Sequence, residues 1–187
     1  MDKLGDPDQV GAARNSEPAD LLEELFERYE RRIYNLFLRL VGDEEDAADL
    51  TSETFVRALA AGQGFRGEAA PYTWLYRIAV NLAKNHFRQK QVRSRVTSTD
   101  QELTGPSPVS HPQKHLEAAE LQTQVARALL QLDEEARMLV VLRDLHGLSY
   151  EEVGRTMDIP PDTVKSRLFR ARRSLRELLR PYLAAEA

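Results

Sequence analysis

The stretch LSYEEVGRTMDIPPDTVKSRLFRARRSLRELL, Leu148 to Leu179, decides the fold. Ser149 followed three residues later by Glu152 is a capping box, and Gly147 just before it is a helix stop, so a new helix starts at Tyr150. Asp158-Ile159-Pro160-Pro161 ends that helix early, because a proline disfavours helical backbone at the residue before it and fits best in a first turn. A second helix starts there. On it Val164, Leu168, Ala171, Leu175 and Leu178 recur at spacings of four and three, which gathers them on one stripe that faces a core. Opposite lie Asp162, Lys165, Ser166, Phe169, Arg170 and Arg173, a set able to hydrogen-bond, stack and neutralise phosphate. A solvated basic face is the plain reading. A short capped helix, a tight turn and a basic helix together have the layout of a helix-turn-helix, whose second helix enters a DNA major groove.

Composition sets the outer bounds. The 187 residues, 42% of them hydrophobic, suffice for one domain or two small ones. Cysteine is absent, so disulfide and thiolate chemistry are excluded, in keeping with a reducing cytosol. No apolar run approaches the roughly 18 residues of a membrane span, and the first residues are polar and acidic, unlike a signal peptide. The net charge of −4 is unevenly spread: −8 over residues 1–60, +5 over 61–100, −5 over 101–160 and +4 over 161–187. Two basic blocks separated by acidic ones imply two places that meet phosphate, and acidic surface left for another partner.

Working back from the helix-turn-helix, Met138 to Leu142 is apolar enough to be largely buried, and Asp133-Glu134-Glu135 opens that helix with carboxylates at the positive end of its dipole. His115 to Leu132 reads as a further helix, so residues 115–184 make a four-helix unit. From Gln91 the composition turns to Ser, Thr, Gln and Pro, and residues 93–114 read as a linker; 22 residues average about 26 Å as a free coil and reach about 70 Å extended. His111 and His115 have the spacing of helical metal ligands, but no carboxylate or cysteine completes a site, so neither metal nor cofactor is expected.

Residues 19–92 form the other unit, after a polar tail over 1–18. Leu22 to Leu40 carries helical periodicity that Gly42 stops. Asp43 caps a helix to about Ala61, on which Ala48, Phe55, Val56 and Leu59 are expected to point inward. Asp46, Asp49 and Glu53 gather on its far side, either as a solvated acidic face or as a surface for a basic partner. Gly62 to Gly67 is a loop that matches neither a P-loop nor a dinucleotide fingerprint. Pro71 opens a helix on which Trp74, Arg77, Asn81, Lys84 and Arg88 share a stripe. Aromatic rings beside cations suit unstacked bases and their backbone, while Tyr72 and Tyr76 are better read as core.

The ordered motifs Asp46-x-x-Asp49-Leu50-x-x-Glu53-x-Phe55, Phe65-Arg66-Gly67, Tyr72 to Asn81, Leu148 to Glu152 and Thr163 to Arg172 resemble a bacterial extracytoplasmic-function sigma factor, most closely of the sigma-E type. The resemblance covers about residues 19–182. It implies an all-α, non-enzymatic initiation factor of two small helical domains joined by a flexible linker, acting in the cytoplasm with core RNA polymerase and promoter DNA, and restrained by an anti-sigma factor. It further implies that Asp46, Asp49, Leu50 and Glu53 dock on the polymerase clamp. Phe65, Arg66, Gly67, Glu68 and Ala69, with Trp74, Arg77, Asn81, Lys84 and Arg88, would meet the −10 element. Lys165, Ser166, Arg167, Phe169, Arg170 and Arg173 would read the −35 element. Two positions depart from the family pattern: Ser52 replaces a usual glutamine and Asp162 a common glycine. A stand-alone helix-turn-helix repressor or activator with an N-terminal sensing domain is the rival reading.

Overall fold

The computed structural model describes residues 18–61, 71–96 and 114–183, and every regular element among them is helical. Helix α1 (Pro18–Val41) buries Leu25, Tyr29, Ile33, Leu36, Phe37 and Leu40 along one face. It ends at Gly42, whose φ of +76° is open to glycine at little cost and whose N–H donates to the Leu38 carbonyl at 3.0 Å. Helix α2 (Glu44–Ala61) starts on Asp43, whose Oδ1 accepts from the Asp46 N–H at 2.9 Å, with Glu44, Glu45 and Asp46 in its first turn.

The inward face of α2 differs from the expected one. Ala47, Leu50, Thr51, Thr54, Phe55 and Ala58 are buried, whereas Ala48 is exposed and Val56 and Leu59 stand 65% and 54% exposed. Two threonines make this possible. Thr51 and Thr54 each return their hydroxyl to the carbonyl four residues back, Ala47 and Leu50, at 2.7 Å, so no polar atom there is left without a partner. The arc that counts as apolar is therefore rotated away from Val56 and Leu59.

Helix α3 (Pro71–Val96) buries Tyr72, Leu75, Tyr76, Ala79, Val80, Leu82, Ala83 and Phe87. It continues past Gln91, where composition suggested a linker, because Arg88 to Gln91 are good helix formers and Gln91 Nε2 donates to Glu134 Oε1 at 3.0 Å. The tail, the loop over 62–70 and the stretch 97–113, including His111, lie outside the described residues, as does the side chain of His115.

The second group is α4 (Lys114–Gln131), α5 (Glu134–Val140), a π-helical turn (Val141–Leu145), α6 (Tyr150–Met157) and α7 (Pro161–Leu183). Asp133 caps α5 by accepting from Ala136 N–H at 2.8 Å. The capping box of α6 is complete: Ser149 Oγ accepts from Glu152 N–H at 3.1 Å, and Ser149 N–H donates to Glu152 Oε2 at 2.6 Å. The helix closes at Asp158, in the left-handed region at φ +61°. Gly154 lets the turn fold back, since a Cβ there would stand 2.8 Å from the Ile159 carbonyl oxygen. On α7, Val164, Leu168 and Ala171 are buried and Leu175 and Leu178 half-buried, the stripe expected from their spacing.

The two groups are docked through one continuous core that runs from Leu25 to Ala171. At the junction a Cβ on Gly42 would meet Leu130 at 2.6 Å, so α1 and α4 approach over a position without a side chain. The buried Arg137 of α5 is the polar fastening. Its guanidinium donates to Leu129, Leu130 and Leu132 carbonyls at the end of α4, at 3.0, 2.7 and 3.0 Å, and to the Leu40 carbonyl at the end of α1. One cation thus caps the negative ends of two helices, one from each group. Replacing it strands several carbonyls at once: Arg137→Leu is expected to lower the unfolding free energy in urea by about 2 to 4 kcal/mol. A loss below about 0.5 kcal/mol would show that those carbonyls find partners without it.

Candidate nucleic-acid interface

Three exposed faces carry the residues singled out from the sequence. On α2, Asp49 and Glu53 are exposed and Asp46 half-buried. Leu50, next to Asp49, is 7% exposed and belongs to the core. Val56, one turn beyond Glu53, is an exposed apolar residue that the wheel had turned inward. The stripe is less purely anionic than its pattern. Arg57 Nε donates to Glu53 Oε1 at 2.9 Å, and His86 Nε2 of α3 stands 3.6 Å from Asp46 Oδ2.

Along α3, Arg77, Asn81 and Arg88 are exposed and lie on one side of the helix. Trp74 is half-buried and packs against the core, and Tyr72 and Tyr76 are core residues. Lys84 is half-buried as well. Its Nζ donates to the Met157 carbonyl at 3.1 Å, at the last turn of α6, where a cation completes the helix end. The stripe therefore has one cation drawn into the junction between the two groups. The loop residues Phe65, Arg66, Gly67, Glu68 and Ala69 lie outside the described residues.

The outer face of α7 matches its expected membership with one correction. Asp162, Lys165, Ser166, Arg170 and Arg173 are exposed, and Phe169 is 71% exposed, an aromatic ring held in water by a helix whose core side is already filled. Arg167 does not belong to this set. It sits beside the core stripe and forms an ion pair with Glu135 of α5. The reason is angular: at 100° per residue 167 falls about 40° beyond Ala171 on the wheel, at the edge of the core stripe on the flank that faces α5.

Partners of that face were not legible in the sequence. Arg172 Nε donates to Asp144 Oδ2 at 3.0 Å, tying α7 to the π-helical turn, and this hydrogen bond raises the arginine's pKa further. Tyr150, the first residue of α6, lies between two cations, with Arg143 5.0 Å and Lys165 5.9 Å from its ring centroid. The helix-turn-helix is thus braced by ion pairs to the helix and turn before it, while Arg170 and Arg173 stay exposed.

At the junction, Tyr76 Oη and His146 Nδ1 are 2.8 Å apart, and Arg32 Nη2 donates to the His146 carbonyl at 3.4 Å. Burial, then the charges of Arg32 and Arg39, lower the His146 pKa to about 4, and burial pushes that of Tyr76 up to about 12. The pair is therefore neutral and joined by one hydrogen bond. Among the described residues no group of three His, Asp or Glu is arranged to hold a metal ion.

Comparison with known proteins gives the following. The Sigma-70 region 2 family matches residues 25–93, and the Sigma-70, region 4 family matches residues 122–175. The RNA polymerase sigma-H factor of Pseudomonas aeruginosa is 38% identical over 163 residues, covering 83% of this chain and 84% of its own. The ECF RNA polymerase sigma-E factor of Escherichia coli is 39% identical over 163 residues, covering 83% and 85%. A solved structure of the sigma factor RpoE with the anti-sigma factor NepR from Bartonella quintana shares the fold, with a TM-score of 0.73 at 24% identity, over 86% of this chain and 97% of that one.

The buried histidine sets a pH dependence. His146 binds a proton less readily in the fold than in an unfolded chain, so it leaves stability untouched above about pH 6.5. As pH falls from there towards about 4, its contribution weakens by about 1.4 kcal/mol per unit. Urea midpoints at pH 7.5, 6 and 5, compared with those of His146→Gln, are expected to diverge in that window. Parallel curves would mean that the imidazole titrates as it does in water.

Proposed function

Because the chain belongs to the extracytoplasmic-function RNA polymerase sigma factors, we propose that its three exposed faces divide the task of promoter-directed initiation among them. The protein directs core RNA polymerase to promoters, and the two family matches fall on its two docked helical groups. The single observation that carries the finer reading is the exposed α7 face, where Lys165, Ser166, Phe169, Arg170 and Arg173 project from the second helix of a capped helix-turn-helix. Such a face reads base edges in a major groove and grips the flanking phosphates, here those of the −35 element.

Arg77, Asn81 and Arg88, with the loop Phe65 to Ala69, are assigned to the −10 element. Cations follow the strand, the amide supplies a donor and an acceptor for a base edge, and an extruded base costs a few kcal/mol that pocket contacts offset. No bond is made or broken by this chain in that scheme. Asp46, Asp49 and Glu53, with the exposed Val56 one turn beyond Glu53, are assigned to a basic surface of the polymerase clamp. Exposed apolar residues next to charge are a common form of a docking patch. Lys84 joins the DNA-facing stripe only when α3 and α6 part, because its ammonium is otherwise committed to Met157.

A protein inhibitor of the anti-sigma kind is proposed as a further partner, by analogy with the fold neighbour solved together with one. Action is assigned to the cytoplasm, where the polymerase works; no described helix is long and apolar enough to cross a membrane. The rival reading, a self-sufficient regulator with a sensing domain, is not favoured, since the N-terminal group matches sigma-70 region 2.

Run-off transcription with purified core polymerase tests the scheme. Arg170→Ala is expected to cost about 1 to 3 kcal/mol on one preferred base, and Arg173→Ala to weaken all sequences alike with a shallower salt dependence. Val56→Arg is expected to reduce assembly with core polymerase at least about tenfold while leaving thermal unfolding unchanged, as befits an exposed site. Equal losses on every sequence for all α7 substitutions would show that this face grips only the backbone. Tight operator binding without polymerase would favour the rival.

A further inference from the structure

At the start of α7, Pro161 fixes the first turn and Asp162 follows it. A carboxylate there is favoured by the helix dipole whatever the protein does, so its presence alone says nothing. Its surroundings say more. Lys165 Nζ donates to Asp162 Oδ1 at 3.1 Å, with the two side chains 54% and 93% exposed respectively. The Tyr150 ring centroid lies 5.9 Å from the ammonium, and the Glu151 carboxylate is near enough to act on its charge. A donor and an acceptor are thereby held side by side, restrained from α6, and presented to solvent on the stripe that carries Ser166, Phe169 and Arg173.

We propose that Asp162 and Lys165 act as a unit that reads one C·G base pair in the upstream element, which rests on the assignment of the α7 face to the major groove. The geometry of the pair is that of its target. In a C·G pair, cytosine N4 and guanine O6 are bonded to each other and so lie about 2.9 Å apart. N4 keeps a second hydrogen, and O6 a second lone pair, both directed into the major groove. Cytosine N4–H donates to Asp162, and Lys165 donates to guanine O6 and the adjacent N7. An A·T pair offers the same order, adenine N6–H and thymine O4, but there the ammonium meets a single acceptor flanked by a methyl group. The carboxylate is at the end of the recognition helix that approaches base edges, and Lys165 cancels the repulsion it would otherwise meet from phosphate.

This makes Asp162, one of the two departures from the family pattern, a determinant of promoter choice. The test uses full-length protein assembled with core polymerase and a promoter library randomised across the upstream element, with transcripts counted by sequence. The unaltered protein is expected to prefer C·G over A·T at one position by about tenfold. Asp162→Asn is expected to move that preference to adenine, because an amide pairs with N6 and N7 together. Asp162→Gly is expected to flatten that position and leave the others as they were. Unchanged preferences in both variants, or a uniform gain on every sequence from relief of phosphate repulsion, would overturn the proposal. Arg170→Ala separates the two levels. If it alters its own position while the Asp162 variants alter none, only the base-pair assignment fails; if it alters none either, the groove assignment of α7 fails with it.

Discussion

The Arg137 guanidinium is what the docked arrangement depends on. Helix ends leave carbonyls that no backbone N–H can reach, and in a small all-helical protein these ends meet in the interior. Here the ends of α1 and α4 converge, and a single side chain from α5 satisfies carbonyls of Leu40, Leu129, Leu130 and Leu132. Burial lowers the arginine's pKa and the nearby Glu134 and Asp133 oppose that shift, so the cap of α5 also helps to keep the cation charged. Other contacts across the junction include Tyr76 with His146, Arg32 with His146, Lys84 with Met157 and Gln91 with Glu134.

Charge is segregated by face as well as by block. The acidic stripe of α2 and the basic faces of α3 and α7 lie on helices whose inner sides share one core, so partners of opposite sign are addressed from one small body. The internal ion pairs follow a different rule. Arg167 with Glu135 and Arg172 with Asp144 tie α7 to the helix and turn that precede the helix-turn-helix. Surface pairs of this kind add little stability on their own. What they do is fix the direction of the exposed cations that remain.

Elements with strong periodicity and local punctuation were legible from residues alone. The α6 capping box, the Pro160-Pro161 boundary and the Val164 to Leu178 stripe depend on near neighbours in sequence, and each stands as read. The differences come from side-chain contacts that spacing alone does not show. Thr51 and Thr54 look polar until their hydroxyls are seen bonded to carbonyls four residues back, and that displaced the inward face of α2. Arg167 looked like one more outer cation because Glu135 is 32 positions away. Arg137, His146 and the π-helical turn had no signature, since a buried cap is created only when two helix ends arrive at it.

Gly154 has a geometric consequence for the whole of α7. The contact that a methyl there would make is with backbone, the Ile159 carbonyl, which cannot swing aside as a side-chain tip can. A substituent would act as a wedge at the fulcrum. Asp162 sits next to that fulcrum and would hardly travel, whereas Arg173, eleven residues and about 16 Å further along the rod, would swing wider. One missing carbon atom therefore sets the aim of a lever, and its far end carries the largest error.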